Sequence, residues 1–100
     1  MATPQAGSNS FITTGGTAVV AVPANASGGY ITNPYSAADQ NIPTAEWLYV
    51  NPVSSAILGS YGTTSGLAPG SSFNIIAGTT IATTVNAATS NHRFTVVWYP

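Results

Sequence analysis

The sequence predicts an all-β fold: a β-sandwich of jelly-roll or related Greek-key type with a flexible N-terminal arm. Three observations lead there. Val, Ile, Thr and aromatic residues gather in short runs, and branching at Cβ suits a pleated strand better than a helix. Gly, Pro, Asn and Ser separate those runs at the spacing typical of sandwiches and barrels. No stretch holds the i, i+3, i+4, i+7 apolar pattern over the length a helix needs.

Residues 1–10, MATPQAGSNS, carry no apolar period and read as the arm. Residues 11–100 read as one domain. Strands are expected at 10–13, 17–22, 29–32, 45–51, 55–59, 71–76, 80–86 and 93–99. Turn signals divide them, among them Gly15-Gly16, Asn33-Pro34, Asn51-Pro52, Gly62, Gly66 and Pro69-Gly70. The best helical candidate is a turn or two at 36–40. In the last strand Phe94, Val96 and Trp98 share one face, with Arg93, Thr95, Val97 and Tyr99 on the other. The first set is assigned to the core, together with Phe73. In 45–51, Leu48 and Val50 share a face with Glu46, while Trp47 and Tyr49 share the opposite one. Such a strand is either central and covered on both sides, or it shows aromatics to a partner. Leu48 and Val50 are assigned to the core.

Composition narrows the function. The only charged residues are Asp39, Glu46 and Arg93, with His92 titratable, and there is no lysine or cysteine. One arginine cannot displace the counterions of a nucleic acid. A membrane-surface helix needs a basic face, and no apolar run approaches the roughly 20 residues of a transmembrane helix. The N-terminus lacks the basic segment and apolar run of a secretory signal, so synthesis in the cytoplasm is expected. Disorder is disfavoured by 44% hydrophobic residues and a net charge of −1. Yet 15 residues are alanine, so the core is thin for a domain that stands alone. Lysine, a common protection for sheet edges, is absent. Both points favour a chain packed against copies of itself or a larger assembly.

The polar inventory offers little chemistry. No G-x-S-x-G elbow marks a nucleophile for a triad with His92 and Asp39. His92, Asp39 and Glu46 lack metal-ligand spacing. Asp39 and Glu46 as a glycosidase pair lack a surrounding aromatic platform. Gly62, Gly66 and Gly70 read as turns, because a phosphate loop needs a following helix and usually a lysine. No catalytic residue, cofactor or metal is expected, and the protein reads as non-enzymatic. Ser90, Asn91, His92 and Arg93 read as a polar turn feeding the last strand. Glu46 and Arg93 are expected to form a structural ion pair that sets strand register. Pro4, Phe11, Tyr30, Tyr35, Trp47 and Tyr49 are the expected assembly interface.

Four segments, GGYITNP (28–34), AEWLYVNP (45–52), LAPGSSF (67–73) and VNAATSNHRFTVVW (85–98), together resemble small structural proteins of tailed bacteriophages. Head-decoration, cement and fibre-type β-sandwich modules are the members they look like. The resemblance implies a virion protein that stabilises the shell through contacts with the major capsid protein and with its own copies. It implies no catalytic residue. A closed trimer is the preferred oligomer, because cyclic symmetry hides edges. Two alternatives accompany this reading. One is a tail or fibre module that binds a host-surface glycan through Tyr30, Tyr35, Tyr61 or Trp47. The other is a self-assembling pilus- or shell-like subunit. The very low charge departs from the family pattern and leaves the attachment site open.

Overall fold

The computed structural model describes residues 8–12, 17–22, 26–76 and 83–99. In chain order the elements are β1 (Ser8–Ile12), β2 (Ala18–Val20), β3 (Gly28–Thr32), α1 (Ala37–Gln40), β4 (Leu48–Asn51), β5 (Ser65–Leu67), β6 (Ser72–Ile76), β7 (Thr83–Asn86) and β8 (His92–Tyr99). They make two four-stranded antiparallel sheets, ordered β1-β8-β3-β6 and β2-β7-β4-β5. The pairing is nested: β1 with β8, β2 with β7, β3 with β6 and β4 with β5. The path is that of one long hairpin folded over. Pairs β3 with β8 and β4 with β7 then join the nested hairpin segments within each sheet. Among the described residues no helix is long and apolar enough to cross a membrane.

Period-two alternation builds the core. In β8 His92, Phe94, Val96 and Trp98 are buried, and Arg93, Thr95, Val97 and Tyr99 alternate with them. Leu48 and Val50 face them from the second sheet, fully buried, with Ile31, Val85 and Leu67 completing the centre. Phe73 is half-buried and packs against the margin of this cluster. Gly29 pairs with Trp98 across the first sheet. A Cβ at Gly29 would run into the Val97 carbonyl and lie 2.7 Å from the indole, so only glycine lets Trp98 sit so close to β3.

Strand β4 is central, flanked by β7 and β5, but only its inner face is covered by the other sheet. Trp47 is 49% exposed and Tyr49 half-buried on the outer face. The Trp47 ring instead lies over Gly66, where a Cβ would come within 2.9 Å of it. Gly66, which reads as a turn in the sequence, is the middle of β5.

Residues 55–59 form no strand. Ala56 N–H donates to Thr84 Oγ1 at 2.8 Å, and its carbonyl accepts from Asn86 Nδ2 at 3.2 Å. Thr84 Oγ1 also donates to the Ser54 carbonyl at 2.9 Å. Thr84 and Asn86 project from the outer side of β7, so this connection lies along the second sheet. Side chains satisfy its backbone where a ladder was expected.

Strand β1 takes in Ser8–Ser10, which the sequence reading places in the arm, and Ser10 pairs with Phe94. Residues 1–7 and 80–82, which carry the rest of the expected arm and the start of an expected strand, lie outside the described residues.

Candidate functional site

Where β3 leaves the first sheet, three polar side chains are wholly buried: Asn33, Gln40 and His92, each 0% exposed. Asn33 Nδ2 donates to the carbonyls of Glu46 at 3.0 Å and Leu67 at 2.9 Å. That fixes the amide orientation, so Oδ1 is the acceptor. It receives Gln40 Nε2 at 3.1 Å and His92 Nε2 at 2.8 Å. His92 must therefore carry its proton on Nε2. Gln40 Nε2 also lies 2.8 Å from the Pro34 carbonyl and 3.0 Å from that of Glu46, and Oε1 accepts from Glu46 N–H at 2.8 Å. Each buried amide gains partners that offset its desolvation.

His92 Nδ1 is buried without a hydrogen-bond partner among the described residues. Burial lowers the His92 pKa from the ordinary imidazole value, and the nearby Glu46 charge raises it part of the way back. The neutral ring is thus favoured, consistent with the proton sitting on Nε2.

Local chemistry delivers Gln40. Ser36 caps α1, its Oγ accepting from Asp39 N–H at 3.1 Å. Asn41 ends the helix in the left-handed region at φ 62°. On the other side, Gly70 N–H donates to the Asn33 carbonyl at 2.7 Å, and Asn33 N–H donates to Ser71 at 3.0 Å. The Pro69-Gly70 turn is thereby tied to the end of β3.

Just outside this buried layer lies a pocket of about 320 Å³, lined by Thr32, Pro34, Tyr35, Asp39, Arg93 and Thr95. Its walls are chain neighbours of the buried trio. Pro34 follows Asn33, Asp39 precedes Gln40 and Arg93 follows His92. Strand alternation makes the last link compulsory: burying His92 turns Arg93 outward. Thr32 and Thr95 are cross-strand partners on that face. Tyr35 stands at the rim, 80% exposed. It packs over Gly70, where φ is +88° and a Cβ would lie 3.2 Å from the tyrosine ring. Two of the chain's three charged side chains, Asp39 and Arg93, line this pocket.

The expected interface residues whose side chains are described, Tyr30, Tyr35, Trp47 and Tyr49, lie on different faces. Tyr35 is at the pocket. Tyr30 is half-buried on the outer face of the first sheet, its ring 6.0 Å from that of Tyr99. Trp47 and Tyr49 are on the outer face of the second sheet. Phe11 belongs to β1, opposite Arg93; Pro4 lies outside the described residues. Of the expected ion pair, Arg93 lines the pocket that Asp39 also lines, while Glu46 Oε2 is buried without a hydrogen-bond partner among the described residues. Leu48, Val50, Phe94, Val96 and Trp98 are all in the buried core, with Phe73 beside them. Among the described residues no group of three or more His, Asp or Glu is placed to hold a metal ion.

Sequence reading missed the buried trio. Asn33 reads as a turn residue beside Pro34, and His92 as part of a polar turn. His92 is instead the first residue of β8 and wholly buried. One signal was present: His92 keeps the same alternation as Phe94, Val96 and Trp98, which assigns it to the inner face. Compared with protein-family models, with curated proteins and with solved structures, the chain gives no match.

Proposed function

We propose that this chain is a non-enzymatic structural protein of a tailed-phage virion, a capsid decoration or cement protein built on a jelly-roll β-sandwich. The observation that carries the reading is the nested pairing of eight strands across two sheets. Such nesting supports the jelly-roll reading, an architecture used repeatedly in viral capsid domains. The step from fold to role is an analogy, and the resemblance of residues 28–98 to phage structural modules supports it.

The surface agrees with an assembled state. Val19 on edge strand β2 is 64% exposed and Ile76 on edge strand β6 is 74% exposed. Leu58 and Tyr61, in the β4–β5 connection, are 57% and 72% exposed. A chain without lysine has little charge to keep such edges apart. A closed trimer covers them by symmetry. Contacts to the major capsid protein, repeated over a shell, add avidity to an interface of modest strength. The protein is made in the host cytoplasm and resides in the virion.

Light scattering on the purified chain tests the oligomer. The expected mass is that of a trimer, shifting to a monomer in Val19→Glu or Ile76→Glu with the thermal midpoint retained. A monomer at every concentration rejects it. Cosedimentation with capsids of the encoding phage tests the role: binding is expected, and a chain that stays in the supernatant rejects decoration.

A further inference from the structure

We propose that the pocket bounded by Tyr35, Asp39 and Arg93 is a binding site for a neutral sugar, one hexose ring deep. This goes beyond the structural role and does not depend on the oligomeric state.

Size comes first. A volume of about 320 Å³ lies at the small end of ligand pockets, which run from about 300 to 1,000 Å³. It has room for a single ring and not for a folded peptide segment. Chemistry comes second. Asp39 supplies a carboxylate acceptor, and Arg93, Thr32 and Thr95 add a guanidinium and two hydroxyls to the lining, the Thr32 hydroxyl being shared with that of Ser72 at 3.0 Å. Sugar hydroxyls also donate and accept, so hydroxyls around one ring match a lining that holds both a carboxylate and a guanidinium. Tyr35 adds an exposed aromatic face at the rim, suited to the apolar C–H side of a sugar. The charges select against ions of a single sign. An anion drawn to Arg93 meets Asp39, and a cation drawn to Asp39 meets Arg93. A neutral, hydroxyl-rich molecule encounters neither penalty.

Preorganisation comes third. The chain neighbours of Pro34, Asp39 and Arg93 are Asn33, Gln40 and His92, of which Gln40 and His92 are each bonded to Asn33 Oδ1 within 3.1 Å, and all three are closed to water. A wall supported by a buried network loses little freedom on binding. The aromatic surface around Trp47 has no such partner set: Asp39 and Arg93 are both at the pocket, on the other sheet.

Saturation-transfer NMR and titration with D-glucose, D-galactose, D-mannose and their methyl glycosides, on the full chain, test the proposal. At least one sugar is expected to bind with a dissociation constant on the order of millimolar, as befits so small a ligand. Tyr35→Ala and Asp39→Asn are each expected to weaken it about tenfold or more. Tyr35→Ala should leave the thermal midpoint in place, so it keeps the test sound if Asp39→Asn folds poorly. Tyr61→Ala, at a tyrosine that is also exposed but outside the pocket, should bind as the parent does. No transfer from any sugar overturns the site, as does binding that survives Tyr35→Ala or is lost in Tyr61→Ala. Tighter binding of glucuronate than of glucose overturns the neutral assignment.

Discussion

Asn33 and Asn51 begin from the same sequence signal and end in different roles. Each precedes a proline, each stands at the end of an interior strand, Asn33 just after β3 and Asn51 as the last residue of β4, and each is buried, at 0% and 2% exposure. Asn51 works on its own connection. Its Oδ1 accepts from Val53 and Ser54 N–H at 2.9 and 2.8 Å, a turn closed by the side chain. Its Nδ2 donates to Thr63 and Thr64 at 2.8 and 3.0 Å, at the far end of the same connection. Asn33 works across the molecule, joining the entry to β4, the end of β5, the helix α1 and the start of β8. One amide shapes a loop; the other fastens four separate segments and supports a pocket.

If that contrast is correct, Asn33→Ala has the largest effect. It leaves the Glu46 and Leu67 carbonyls and the His92 N–H short of partners in a dry site. The expected loss is about 3–4 kcal/mol, read from the urea midpoint. Asn51→Ala should cost less, about 2 kcal/mol, because exposed Thr63 can turn to water. Its amide chemical-shift changes should stay within residues 51–64. A reversed order of the two losses would break the comparison.

His92→Gln sharpens it. Glutamine keeps a donor for Asn33 but cannot titrate, so the expected loss near pH 7.5 is about 1 kcal/mol. The pH profile is the more telling readout. Folded His92 binds a proton less readily than unfolded His92, because burial disfavours the charged ring. The parent's contribution is complete above the unfolded value near 6.5 and declines as pH falls from there toward the lowered folded value. Thermal midpoints measured from pH 7.5 to 5 should show that decline, and His92→Gln should lack it. The smallest effect is expected from Ser36→Ala, which removes the cap of α1 and costs about 0.5–1 kcal/mol in the same unfolding measurement.

Much of the sheet architecture is legible in the residues. Alternation in β8 sets Phe94, Val96 and Trp98 inward, and β6 lies within its expected bounds. The helical turn at Ala37–Gln40 falls where a cap precedes two alanines. What failed has particular causes. Residues 55–59 have strand-like composition, but Thr84 and Asn86 claim the backbone of Ala56. Gly66 looks like a turn, yet it pairs with Tyr49 because the Trp47 ring fills the space above it. Of the pocket, Tyr35, Asp39 and Arg93 stand out in the sequence, but for other reasons. Nothing in the spacing of 58 residues between Tyr35 and Arg93 announces that they meet.

Sequence alone determined the strand-rich class and the inward set Leu48, Val50, Phe94, Val96 and Trp98 in two of the strands. Cβ branching and the two-residue repeat act over neighbouring positions, so they can be read locally. Tertiary structure decided which polar residues are buried and where the charges gather. Asn33 finds its partners 7, 13, 34 and 59 residues away, and a hydrogen bond over such separations exists only once the sheets have paired.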